Sequence, residues 1–244
     1  MKALLPLIFF IFTSCQPEAP AEAPAPAPTS PKEVKQLAPP PSLIYLALGD
    51  SYTIGESVRY QLNYPNQLAD RLRADRIQVA DPVIIAETGW TTGDLAASIK
   101  RKDPAKNFSL VSLAIGVNNQ FQGQSIERYE LEFKQLLNQA IEFAGGNKQR
   151  VFVLSIPDYG QTPYGQRNSP ENIAAELDKF NAVNRRITKD LGIVYFDITP
   201  ISRKGVDEPD LVAPDGLHPS AKQYQKWVES LYQDIKAMSA PIKD

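Results

Sequence analysis

Five short stretches of this chain, residues 43–48, 83–86, 110–115, 151–156 and 193–198, are almost unbroken apolar sequence. A strand with one wet face alternates apolar and polar side chains. A strand covered on both faces does not, because both sets of side chains leave water. Continuous runs of this length therefore point to a parallel sheet buried between two layers. The intervening segments carry the helical period instead. Tyr129, Phe133, Leu136, Leu137, Ala140, Ile141 and Ala144 fall on one face of a helix that the pair Gly145-Gly146 stops. Ser169-Pro170 has the pattern of an N-cap and first helical residue, with Ile173, Leu177, Phe180, Val183 and Ile187 sharing a face after it. A last helix is expected from Pro219, burying Tyr224, Trp227, Val228 and Leu231. Strand and helix alternate, which predicts a three-layer α/β/α fold around a mostly parallel five-stranded sheet.

This pattern occupies residues 42–238, about 200 residues, which suits one domain with a substantial core. Residues 1–15 differ. Met1-Lys2 leads into an apolar run that ends at Phe12 and is too short for a stable membrane span, so it reads as an export signal. Cys15, the only cysteine, closes that run and excludes an intramolecular disulfide. The surrounding residues resemble a bacterial lipoprotein lipobox, with Phe12 where an aliphatic residue is commoner. That resemblance implies cleavage before Cys15, acylation of its sulfur and amine, and an exported protein anchored to a bacterial membrane on its periplasmic or outer side. Residues 16–41 are rich in Pro and Ala and cannot bury a core; they read as an extended tether. Residues 239–244 read as a tail. A net charge of −2 with no basic stripe argues against nucleic acid as a partner.

His218 is the only histidine, and it lies in Asp215-Gly216-Leu217-His218-Pro219. A serine is a useful nucleophile at neutral pH only when a base takes its proton, and imidazole suits that task. Ser51, in the turn Gly49-Asp50-Ser51 after the first apolar run, is the candidate nucleophile. Asp215 is placed to hold Nδ1 of His218 and leave Nε2 for Ser51, in the chain order Ser, Asp, His. Gly89 follows the second run and Asn118, in Gly116-Val117-Asn118-Asn119, the third. In an open parallel sheet those positions share the carboxyl edge, where ligands bind. Each motif alone is ordinary turn chemistry; their coincidence in one chain is not. Gly-x-Ser-x-Gly is absent, which disfavours the α/β-hydrolase elbow. With one histidine and one cysteine, a zinc site is not expected.

Taken together and in order, these motifs resemble the SGNH, or GDSL-type, hydrolases over residues 42–238. The resemblance implies a flavodoxin-like fold and carboxylic ester cleavage through an acyl-enzyme, with no cofactor and no metal. It makes Ser51 the nucleophile, His218 the base and Asp215 its orienter. The oxyanion hole would comprise the amides of Ser51 and Gly89 and the side chain of Asn118. Tyr52 stands where the family often has leucine, and Gly89 lacks an asparagine-rich lead-in. Asn119 replaces a common aspartate, so Asn119→Asp is expected to be tolerated. The expected partner is a small ester substrate, with acetylated carbohydrate, lysophospholipid and small esters as candidates, and a monomer is expected. A membrane-anchored acyltransferase and a non-catalytic glycan-binding lipoprotein on the same fold are the alternatives. The loop 157–166 is expected to wall the acyl or leaving-group pocket.

Overall fold

A computed structural model of the chain describes residues 43–239. The expectations for residues 1–15 with Cys15, for 16–41 and for all of the tail but its first residue lie outside the described residues. Each of the five apolar runs holds a strand: β1 (Tyr45–Asp50), β2 (Val83–Glu87), β3 (Leu110–Ala114), β4 (Val151–Leu154) and β5 (Val194–Phe196). They pair in the order β2-β1-β3-β4-β5, and every pairing is parallel. The helices are α1 (Ser51–Ile54), α2 (Tyr64–Ala74), α3 (Thr92–Lys102), α4 (Val117–Phe121), α5 (Ile126–Phe143), α6 (Pro170–Asp190), α7 (Thr199–Ser202) and α8 (Ala221–Met238).

Every residue of β1 and of β4 is buried, so both faces of the sheet are covered. Helices α2 and α8 pack together, and α5 packs against both α3 and α6. Ring contacts of Tyr64 with Tyr224 and Trp227 join α2 to α8. Some of the hydroxyls inside this core pair with one another, whereas Tyr224 OH and Trp227 Nε1 are buried without a partner among the described residues. The Ser112 hydroxyl on β3 shares hydrogen bonds with Tyr45 at 2.8 Å and Tyr64 at 3.1 Å.

Local chemistry moves two helix starts. Helix α8 begins at Ala221 because Ser220 caps it, its side chain accepting the Gln223 amide, while Pro219 stays outside in a bridge with Val212. Ser169 precedes α6 as expected, but it sits at φ +54° and its side chain makes no capping bond. On α6 the buried face includes Asn181 and Asn184 besides the apolar residues, whereas Val183 is half-buried. Asn181 pairs with both backbone groups of Ile156, accepting from N at 2.8 Å and donating to O at 3.0 Å. It thereby fixes the segment leaving β4.

Candidate active site

The carboxyl ends of β2, β1 and β3 lie side by side, since Asp50 is in register with Glu87 and Gly49 with Ala114. The reversal of strand order beside β1 opens the crevice at which parallel sheets of this order bind ligands. Gly49 makes the exit from β1 feasible. A Cβ there would lie 2.0 Å from Thr53 Oγ1 and 2.5 Å from the Ala114 carbonyl oxygen. Asp50 then caps α1, its carboxylate accepting the Tyr52 amide at 3.0 Å. Ser51 follows as the first residue of that helix and is 3% exposed. Asp50 is itself buried, and this desolvation pushes its carboxyl up to about 7 against the opposing pull of the Tyr52 amide and its own.

The other half of the site comes from the turn before α8. The Ala213 amide donates to the His218 carbonyl at 2.7 Å and the Gly216 amide to the Ala213 carbonyl at 2.9 Å, closing a loop whose bend needs Gly216 at φ +73°. Inside it, Asp215 Oδ1 accepts the amides of Leu217 and His218 at 2.9 and 3.0 Å. Its Oδ2 meets His218 Nδ1 at 2.6 Å, and His218 Nε2 lies 3.1 Å from Ser51 Oγ. The three side chains expected from the sequence therefore form one hydrogen-bonded line. Burial opposes ionisation of Asp215, but the donors Ser57, His218 and the two amides outweigh it and bring the carboxyl down to about 2. An ionised carboxylate only accepts, so Nδ1 must carry the proton. The neutral ring then offers Nε2 as acceptor to the Ser51 hydroxyl. Tyr52 packs its ring 5.3 Å from that of His218.

The two remaining expected residues lie on a loop and a short helix, α4, that are laced together. Gly89 turns the chain after β2 at φ +84°. Its carbonyl accepts from Gln122 at 3.1 Å, and Asn118 Nδ2 donates to the Trp90 carbonyl at 2.9 Å. One Nδ2 hydrogen of the half-buried Asn118 is thereby used and the other left over. Gly116, at φ +132°, lets α4 start tightly, for a Cβ there would meet Ile156 and Tyr129 at 2.7 Å. Asn119 is fully buried and bonds to Thr92 and Gln124. The loop 157–166 is only partly the wall expected of it. Residues 157–160 are buried, with Asp158 ion-paired to Arg203 at 2.9 Å. Its Tyr164 reaches the site, donating its amide to the Gly216 carbonyl at 2.9 Å. The rings of Tyr159 and Tyr164 flank Phe121 of α4, which is 54% exposed.

Ser57 and Asn119 were not legible as parts of this network. Ser57, in the loop after α1, donates its hydroxyl to Asp215 Oδ2 at 2.6 Å. No motif marks it, because its partner lies 158 positions away.

Comparison with known proteins agrees with this geometry. Comparison of the sequence with curated proteins gives no significant match. Solved structures with the same fold include a lipase/acylhydrolase from Enterococcus faecalis, with a TM-score of 0.61 and 19% identity over 83% of this chain and 100% of that one. A SGNH-hydrolase family esterase has a TM-score of 0.57 and 19% identity over 84% and 100%. A variant acetyl-xylooligosaccharide esterase from Geobacillus has a TM-score of 0.60 and 18% identity over 82% and 94%. At these identities the likeness speaks for the fold. A family model described as GDSL-like lipase/acylhydrolase matches residues 47–226, from the strand that leads to Ser51 into the helix that follows His218. The chain therefore belongs to the GDSL-like lipase/acylhydrolase family and is, by class, a carboxylic ester hydrolase.

Proposed function

We propose that the protein cleaves carboxylic esters through an acyl-enzyme on Ser51. The observation that carries this reading is the line from Asp215 through His218 to Ser51, with contacts of 2.6 and 3.1 Å. His218 Nε2 takes the hydroxyl proton as Ser51 Oγ attacks the ester carbonyl, and Asp215 stabilises the imidazolium. The tetrahedral oxyanion needs donors that wait for it. Three are at hand in this reading: the Ser51 amide, which as the first of a helix has no intrahelical partner, the Gly89 amide, and the second Nδ2 hydrogen of Asn118. Collapse expels the alcohol, which leaves with the proton from His218. Water, activated by the same nitrogen, then releases the acid and restores Ser51.

For the substrate we favour an O-acetylated carbohydrate over a long-chain lipid ester. Phe121 stands on α4 with Asn118, more than half exposed and flanked by two tyrosine rings, which is a flat apolar surface suited to a sugar ring. The fold likeness to an acetyl-xylooligosaccharide esterase points the same way. Steady-state kinetics on acetylated xylo-oligosaccharides, ethyl acetate, aryl esters of rising chain length and a lysophospholipid test this. Phe121→Ala is expected to raise KM for the acetylated sugar and leave ethyl acetate unaffected. A preference for long acyl chains would reject it.

We also propose that Cys15 is lipidated and holds the protein on a membrane as a monomer. Cys15→Ser is then expected to release active protein into the soluble fraction. Failure of wild-type protein to incorporate a labelled fatty acid would reject this.

A further inference from the structure

The short loop after α1 touches both halves of the site. It is anchored on the backbone of Ser51, whose carbonyl accepts the amides of Gly55 at 3.1 Å and Glu56 at 3.0 Å. From that anchor the Glu56 carboxylate accepts the hydroxyl of Thr88, the neighbour of Gly89. In the other direction Ser57 gives its hydroxyl to Asp215 Oδ2 at 2.6 Å, the same oxygen that His218 Nδ1 meets at 2.6 Å. Ser57 does this from φ +64°, a left-handed conformation that a residue with a side chain adopts at a cost. The loop is exposed at Ser57, so no packing demand explains a serine held in that conformation.

We propose that Ser57 is a positioning residue for the reaction, its hydroxyl locking the Asp215 carboxylate in the rotamer that orients His218. The proposal rests on the Ser51, His218, Asp215 reading above. Asp215 has four acceptor directions, and the amides of Leu217 and His218, the imidazole and Ser57 supply four donors. Its side chain is 29% exposed, so a carboxylate short of one donor turns toward water. Rotation about its Cβ–Cγ bond is then easier, and the imidazole loses its fixed tilt toward Ser51 Oγ. The charge of this carboxylate in turn helps to raise the pKa values of the buried Tyr52 and Tyr224 hydroxyls, which stay neutral beside it. The low carboxyl pKa of Asp215 has the Ser57 hydrogen bond as the largest contribution opposing burial.

The test uses Ser57→Gly and Ser57→Ala in the purified protein, with an aryl acetate as substrate. Glycine removes the hydroxyl and relieves the left-handed backbone together, so fold and function are expected to move apart. Ser57→Gly should melt no lower than wild type while kcat falls about 10-fold and KM stays within about twofold, the range for losing one charge-assisted bond. His218 is the sole histidine, so ¹⁵N-histidine labelling reports this one ring, and its Nδ1 proton resonance should shift or broaden in both variants. Unchanged kcat with an unchanged resonance overturns the proposal. A kcat that falls only in step with melting temperature in both variants also overturns it, since the role is then structural. Ser51→Ala run alongside separates the two readings: retained turnover there defeats the triad assignment, whereas the histidine resonance tests Ser57 independently of turnover.

Discussion

Asn119 holds Thr92 from two directions, Oδ1 accepting its amide at 3.1 Å and Nδ2 donating to its hydroxyl at 2.7 Å. That hydroxyl is in turn committed to the Glu132 carboxylate, and Nδ2 also reaches Gln124 Oε1 at 2.9 Å. The residue is fully buried. An aspartate at 119 would turn one carboxylate oxygen onto the acceptors Thr92 Oγ1 and Gln124 Oε1, while the Arg128 guanidinium of the same network is already paired with Glu132. The family-based expectation of tolerance is therefore replaced by its opposite. Asn119→Asp is expected to cost about 2 to 4 kcal/mol at neutral pH, as losing donors and burying a charge does, and to recover in part at acidic pH. Urea denaturation at two pH values measures it; a neutral-pH midpoint equal to wild type would show the network rearranges freely.

Removing a member of the hydrogen-bonded line separates chemistry from folding. Ser51→Ala and His218→Ala are each expected to lower kcat on an aryl acetate by about 10⁴- to 10⁶-fold with little change in melting temperature. Asp215→Ala should cost less, since it orients and does not react. Either major variant turning over near the wild-type rate would refute the assignment.

Asn118 is expected to act on the transition state alone. With one Nδ2 hydrogen on Trp90 and the other kept for the oxyanion, Asn118→Ala should lower kcat by about 10²- to 10³-fold and leave KM within a factor of about two. An unchanged kcat with a raised KM would mean that it binds substrate and does no more.

The buried Asp50 makes stability depend on pH in an unusual direction. Its folded-state pKa, about 7, lies above the ordinary 3.8, so the fold prefers the neutral acid. Below about pH 4 both folded and unfolded chains are protonated and the contribution is complete. As pH climbs from about 4 to about 7 the unfolded chain ionises first, and stability falls by at most about 4 kcal/mol. Asp215 does not blur this window. Its pKa is depressed to about 2, so its own contribution is in place above about pH 4 and fades only in stronger acid. Asp50→Asn keeps an acceptor for the Tyr52 amide and cannot ionise, so it should flatten the profile. Denaturant midpoints at pH 4.5 and 7.5 compare the two proteins; a loss in the variant equal to that in wild type would contradict the argument.

The five apolar runs located the strands because burial on both faces leaves a mark that needs no knowledge of neighbours. Likewise Ser51, Asn118 and the Asp215 turn stood out because each follows or precedes an element whose pattern is local. Details set by backbone angles were less accessible. The serine-proline pair at 169 was read as a side-chain cap, but a residue at φ +54° cannot present its hydroxyl that way, and Ser220 caps where Pro219 was expected to begin. Ser57 went unmarked, and Asn119 was marked only by its place in a motif and not by its bonds, for another reason. Ser57 is an ordinary polar residue in a turn and Asn119 one in the short helix α4, and the meaning of each comes from partners on other elements that only the folded chain brings near.

The contact between Ser51 and His218 spans 167 positions of sequence, and the turn that carries His218 leads directly into α8, which packs on α2 through Trp227 and Tyr64. A partly folded chain can hold its central strands and nucleophile turn without a base. Catalytic competence is thus expected to come late in folding, delayed by the long closure that joins the two ends of the domain. Recovery of activity during refolding should lag recovery of sheet structure and time the docking of the last helix.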